Sequence, residues 1–135
     1  KYNFLYLNTH IKPILKVEGY AVAGFDAELM GYSPKFSSEK LAKKLNLNLT
    51  DIDMFEINEA FASQAFAVRR DLGLDSEKVN IYGGGISIGH PIGATGAMLT
   101  VKVMYELMRT DKKDAMISMC IGGGQGISMY FTKCE

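Results

Sequence analysis

From Ile14 onward the chain alternates short apolar runs with helical segments, and that alternation restricts its fold more than any other feature. Ile14 to Gly24 carries Val17, Tyr20, Val22 and Ala23 and predicts a first strand. A loop over Asp26 to Ser38, broken by Gly31 and Pro34, precedes a helix that Ser37 or Ser38 can cap. That helix runs to Leu45 with Leu41 on its apolar stripe, and Asn46 suits a left-handed stop. A second strand lies within Thr50 to Ile57. Asn58 to Leu72 predicts a helix capped by Asn58, with Glu59 in its first turn and Phe61, Ala65, Val68 and Leu72 on one stripe. Its other faces are small or apolar, so it should be buried on most sides. Val79 to Tyr82 is a short third strand. Pro91 to Arg109 opens on proline and repeats Ala94, Ala97, Met98, Val101, Tyr105 and Met108 at helical spacing. Asp114 to Met119 and Ile127 to Phe131 are the fourth and fifth strands. The order β-α-β-α-β-α-β-β makes an α/β domain with parallel pairs from the crossovers and one antiparallel strand from the last hairpin.

The 135 residues fit one domain with a real core, and the apolar (47%) and charged (22%) shares are ordinary for a globular chain. Fifteen basic and fifteen acidic side chains cancel, leaving no positive field to collect nucleic acid. No apolar stretch reaches the roughly 18–20 residues a membrane span needs. Cys120 and Cys134 fit no metal-ligand spacing, and His10 and His90 are remote from them in sequence, which suits a reduced, intracellular setting. The basic-then-apolar start, Lys1 to Leu7, is cut short by Asn8 and His10 and has no cleavage pattern. Residues 1–13 are therefore expected to be a linker or the remnant of a missing upstream region.

In an open α/β sheet, ligands collect where strand C-termini pass into loops. Three such loops carry unusual residues: Asn58 to Ala62, Gly83 to Pro91, and Cys120 to Gly126. In the last, a thiol precedes four glycines, more than a simple hairpin needs, so the turn reads as built for an acyl group rather than for reversing the chain. Those glycines should expose Cys120 and offer N–H groups that favour its thiolate, as a base or a nucleophile. His90, fixed between Gly89 and Pro91 beside a helix start, can donate to an oxyanion or accept a thiol proton. Asn58 has two readings, a helix cap or an amide holding a water or substrate oxygen. Cys134 reads as a surface or packing thiol. The dinucleotide pattern G-x-G-x-x-G fails from Gly83 and from Gly122, and the phosphate loop from Gly84 has His90 where lysine belongs.

Together the three segments resemble the C-terminal domain of the thiolase family, in its acetyl-CoA acetyltransferase branch. The matching blocks are Asn58-Glu59-Ala60-Phe61-Ala62, the glycine-rich turn ending Gly89-His90-Pro91, and Cys120-Ile121-Gly122-Gly123-Gly124-Gln125-Gly126. Gly19-Tyr20-Ala21, Met30-Gly31 and Pro91-Ile92-Gly93-Ala94 add to the likeness, while Tyr82 and Ser33 depart from the usual pattern. The resemblance implies a three-layer α/β/α domain over residues 14–135, with a five-stranded mixed sheet of order 3-2-4-5-1 and strand five antiparallel. It implies a Claisen reaction through an acyl-enzyme, condensing two acetyl-CoA to acetoacetyl-CoA or cleaving it.

The resemblance also assigns roles. Cys120 is the acid/base, and His90 assists the acyl-accepting cysteine and donates to the thioester oxygen. Asn58 holds a water of that oxyanion site, and the Gly122 N–H serves a second one. Met30 and Phe61 are candidates for the wall around the acyl group. Acyl-CoA is the substrate and no covalently bound cofactor is implied. The family's acyl-accepting cysteine and most coenzyme A contacts lie in an N-terminal domain, so the partners implied are that domain and the homodimer or homotetramer of the whole protein. This chain alone is expected to be inactive, in a cytoplasmic or mitochondrial setting. The alternative is a non-catalytic thiolase-like domain for packing or lipid-ester binding.

Overall fold

A computed structural model of the chain describes residues 12–134. Nearly all of the expected linker at 1–13, with His10, lies outside the described residues. The elements are β1 (Leu15–Gly24), a 3-10 segment (Ala27–Tyr32), α1 (Ser33–Leu45), β2 (Phe55–Ile57), α2 (Ala62–Asp71), a one-turn helix α3 (Gly85–Ile88), α4 (Thr95–Arg109), β3 (Asp114–Gly122) and β4 (Gln125–Lys133). The sheet order is β1-β4-β3-β2, with β2 and β3 parallel and β4 antiparallel to both its neighbours.

The sheet has four strands among the described residues, not five. Val79 to Tyr82 contributes a single parallel bridge, Phe55 to Val79, on the edge where the third strand was expected. Asn80 is the reason. Its N–H donates to Phe55 O at 2.9 Å, and its backbone then turns left-handed at φ 49°. Its side-chain amide takes over the ladder: Ile57 N donates to Oδ1 at 2.8 Å and Nδ2 donates to Ile57 O at 2.9 Å. An amide side chain stands in for the next residue of a strand.

Helix α1 begins at Ser33 rather than at Ser37 or Ser38. Pro34 lies in its first turn, where the missing N–H is no loss. Ser37 and Ser38 are not caps; both are buried inside α1 and reach Ser128 Oγ on β4 at 2.7 and 3.0 Å. Asn46 does end the helix left-handed, at φ 54°. The second strand shortens to Phe55–Ile57, because Leu49–Asp51 forms a 3-10 turn capped by Asn48.

Helices cover both faces of the sheet. On one, Leu41 of α1 and Val68 and Leu72 at α2 pack with Ala21, Phe55, Ile57, Met116 and Tyr130. On the other, Leu99, Val103 and Leu107 of α4 pack with Met54, Ala115, Ile117 and Phe131. Phe55 and Met116 thus face away from Met54 and Ala115, the period of two that a strand imposes. Two helix expectations are corrected here. Of α2 only Gln64 and Val68 are buried, while Phe61 and Phe66 are exposed. On α4 the packed stripe is Thr95-Leu99-Val103-Leu107, and Val101, Tyr105 and Met108 point to solvent.

Candidate active site

β2 and β3 are parallel, so Asn58 and Cys120 leave the sheet at the same rim. Beside it a cleft of about 440 Å³ is lined by Met30, Phe61, His90, Cys120 and Gly122, with Ala60, Ile92, Met119 and Ile121 completing the wall. Five of the six residues singled out from the sequence meet in this cleft. The sixth, Asn58, stands directly behind it, with Nδ2 3.5 Å from His90 Nδ1.

Asn58 is not a helix cap. Its N–H donates to Ser118 O at 2.9 Å, continuing the β2–β3 ladder, and α2 starts only at Ala62. The side chain is 1% exposed. His90 follows Gly89 (φ 85°), and its Nδ1 lies 2.6 Å from Thr95 Oγ1.

The glycines after Cys120 divide their work. Gly122, Gly123 and Gly124 all have positive φ, and β3 and β4 pair up to Gly122 and Gln125, so this turn does reverse the chain. A Cβ at Gly124 would stand 2.2 Å from Phe25 O, and one at Gly126 2.5 Å from the Ser33 carbonyl carbon. Those two serve packing. Gly122 meets nothing within 4 Å and faces open space, at a register shift between Cys120 and Gly122 that bends the strand at the cleft.

Cys120 is 7% exposed, so the turn does not bare it as expected. Burial pushes its thiol up from the ordinary value, and its own backbone hydrogen bond offsets only part of this. That direction favours the neutral thiol. Cys134 is half-buried, which suits a packing thiol, and both cysteines are free.

Sequence reasoning missed Glu59, which had looked like a first-turn acid. Its Oε1 accepts from Asn80 Nδ2 and its Oε2 from Ile86 N, both at 3.0 Å. A Cβ at Gly84 would stand 2.6 Å from Glu59 Cδ, and one at Gly85 2.9 Å from Glu59 O. The glycine loop is therefore laid directly onto Asn58-Glu59. Lys102 on α4 fastens the start of that loop, donating to Gly83 O and to the buried Glu56, both at 2.5 Å. The signal in the sequence was the pairing of glycines 84 and 85 with an acid that no helix needed. No three His, Cys, Asp or Glu side chains among the described residues stand together as a metal site would require.

Residues 11–133 match the family described as thiolase, C-terminal domain. The chain belongs to the thiolase family. It is 48% identical over 123 residues to the beta-ketothiolase BktB of Cupriavidus necator, covering 91% of this chain and 31% of that one. It is 45% identical to an acetyl-CoA acetyltransferase of Escherichia coli, again over 91% of this chain and 31% of that one. The crystal structure of the Bacillus anthracis acetyl-CoA acetyltransferase superposes with a TM-score of 0.93 at 40% identity, covering 97% of this chain and 33% of the other. This thiolase chain thus spans about a third of the length of the relatives it matches. No helix of the described residues is long and apolar enough to cross a membrane.

Proposed function

We propose that this chain is the C-terminal catalytic part of a thiolase of the acetyl-CoA C-acetyltransferase type, supplying its acid/base and oxyanion groups. The observation that carries the reading is the single cleft lined by His90, Cys120 and the unobstructed Gly122. In condensation, an acyl group sits on a cysteine contributed from outside these 135 residues, whose only thiols are Cys120 and Cys134. Cys120 as thiolate takes a proton from the carbon next to the thioester of a second acetyl-CoA. The resulting enolate attacks the acyl carbonyl carbon, a C–C bond forms, and the C–S bond to the enzyme breaks. Thiolytic cleavage of acetoacetyl-CoA is the reverse. His90 and a water held by Asn58 stabilise one developing oxyanion, and the Gly122 N–H the other; each donor of this kind is worth about 3 kcal/mol. Met30 and Phe61 bound the acyl group.

Acyl-CoA is the substrate and no cofactor is called for, because the proton carrier and the donors are protein groups. The partners are the N-terminal thiolase domain and further copies in a dimer or tetramer. The bacterial relatives support a cytoplasmic setting over the mitochondrial one.

The test is acetoacetyl-CoA thiolysis by the protein expressed from its whole gene. Cys120→Ser and His90→Ala are each expected to lower kcat by at least about 100-fold. The 135-residue chain by itself is expected to show no turnover. Activity unchanged in both variants would leave the domain a thiolase-like packing or lipid-ester-binding module.

A further inference from the structure

We propose that Thr95 is a positioning residue that fixes the His90 ring by holding Nδ1, so that Nε2 is the nitrogen presented to the cleft. This rests on His90 acting in that cleft and adds what keeps it there. His90 is exposed, as are Pro91 to Ala94, so packing does not set the ring. Thr95 is 3% exposed and opens α4, which the Leu99-Val103-Leu107 stripe anchors on the sheet. Its Oγ1 lies 2.6 Å from Nδ1, whereas Asn58 Nδ2 lies 3.5 Å away, at the limit of a hydrogen bond. Of the two tethers, Thr95 is the strong one.

The hydroxyl can serve Nδ1 whether or not that nitrogen carries a proton. Pro91 O, 3.1 Å from Oγ1, already accepts the N–H groups of Ala94 at 2.7 Å and Thr95 at 2.9 Å. It does not depend on the hydroxyl, yet it lies within the hydroxyl's reach. Next to a neutral ring with a lone pair on Nδ1, the Thr95 O–H donates to Nδ1. When Nδ1 carries a proton, the O–H turns to Pro91 O and its oxygen accepts. With Nδ1–H donating to Oγ1 both before and after, the ring can gain and lose a proton at Nε2 without rotating, which a group passing a proton to and from a thiol requires. The other titratable group lining the cleft is Cys120 on β3; from the β2 exit, the Glu59 carboxylate is committed to Asn80 and Ile86. Thr95 itself does not titrate.

The experiment compares Thr95→Val, which keeps the shape, with Thr95→Ser, which keeps the hydroxyl, in the protein expressed from its whole gene. Thr95→Ala serves as the second hydroxyl-free variant should the valine variant melt early. The hydroxyl-free variants are expected to lose about 10- to 100-fold in kcat, as when a working histidine loses its orienting partner, with KM little changed. Serine should restore kcat. Full activity in Thr95→Val, or equal losses in Thr95→Ser and Thr95→Val, would overturn the assignment. If His90→Ala is slow while Thr95→Val is not, only Thr95 is refuted; if His90→Ala is itself fully active, the functional reading goes.

Discussion

Replacing Gly122 and Gly124 with alanine, one at a time, should separate the glycine that serves the cleft from one that serves the fold. Both have positive φ, 88° and 78°, a region where a side chain costs about 1–2 kcal/mol. At Gly124 the new methyl would also lie 2.2 Å from Phe25 O and 3.0 Å from Ala27 N. Phe25 N donates to Gly124 O at 2.6 Å, so the two segments must part to make room. Overpacking of this kind adds about 1–3 kcal/mol, giving a total near 2–5 kcal/mol. At Gly122 nothing stands within 4 Å, and only the backbone penalty applies. Thermal melting of the whole protein, about three times this length in the relatives, should show Gly124→Ala falling below Gly122→Ala by roughly 1–2 °C for each kcal/mol between them. Thiolysis should show the opposite order: Gly122 lines the cleft, and with its N–H in the oxyanion role proposed above, Gly122→Ala should lose about 100-fold in kcat. Equal melting temperatures, or an active Gly122→Ala, would refute this division.

Asn80→Ala removes three side-chain hydrogen bonds, to Ile57 N, Ile57 O and Glu59, and should cost about 3 kcal/mol by melting; Asn80→Asp should be worse, since it turns a carboxylate toward Ile57 O and Glu59. Lys102→Ala strands a fully buried Glu56 and should cost about 3–5 kcal/mol at neutral pH. Burial holds the Glu56 carboxyl above its ordinary value of 4.5, so its contribution is fully present below that pH and is lost as pH rises. The Lys102→Ala deficit should therefore be smallest near pH 4.5 and grow toward pH 7, read as melting temperature against pH. At pH 7.5 iodoacetamide should label Cys134 before Cys120, and Cys120 labelling should still be climbing above pH 9, followed by mass spectrometry of the two peptides.

Element order and the parallel and antiparallel senses could be read from the chain, because apolar runs, breakers and connection lengths are local signals. The third strand could not. Its four residues looked as strand-like as Phe55–Ile57, and only the amide of Asn80 bonding to Ile57 explains why the backbone stops pairing. The α4 stripe was misread because both of its faces carry apolar residues; which one packs is decided by Leu99 and Val103 against the sheet, not by period alone. At the candidate site, His90 and Cys120 could be expected on one rim because each lies in a loop after a strand end, while Met30, Phe61 and Gly122 were named only through the family resemblance; the cleft brings all five together. Glu59 and Thr95 were missed. Each acts through a residue far off in the fold or through a loop whose path the sequence does not state.

The burial of Cys120 bears on the order of events in the proposed reaction. A thiol pushed above its ordinary range rests protonated near neutral pH, so it enters the cycle as an acid rather than as a base. In the acylation half, a departing coenzyme A thiolate needs a proton, and a buried thiol beside the Gly122 N–H is placed to give one. That transfer leaves a thiolate in the site, a strong base because burial destabilises it, at the moment the second thioester arrives. The same burial that makes the resting thiol sluggish toward alkylation thus makes the generated thiolate effective at carbon. On this account the oxyanion donors at His90 and Gly122 serve the substrate and need not lower the resting thiol. A Cys120 that titrated below the ordinary thiol range in the free whole protein would break the sequence at its first step.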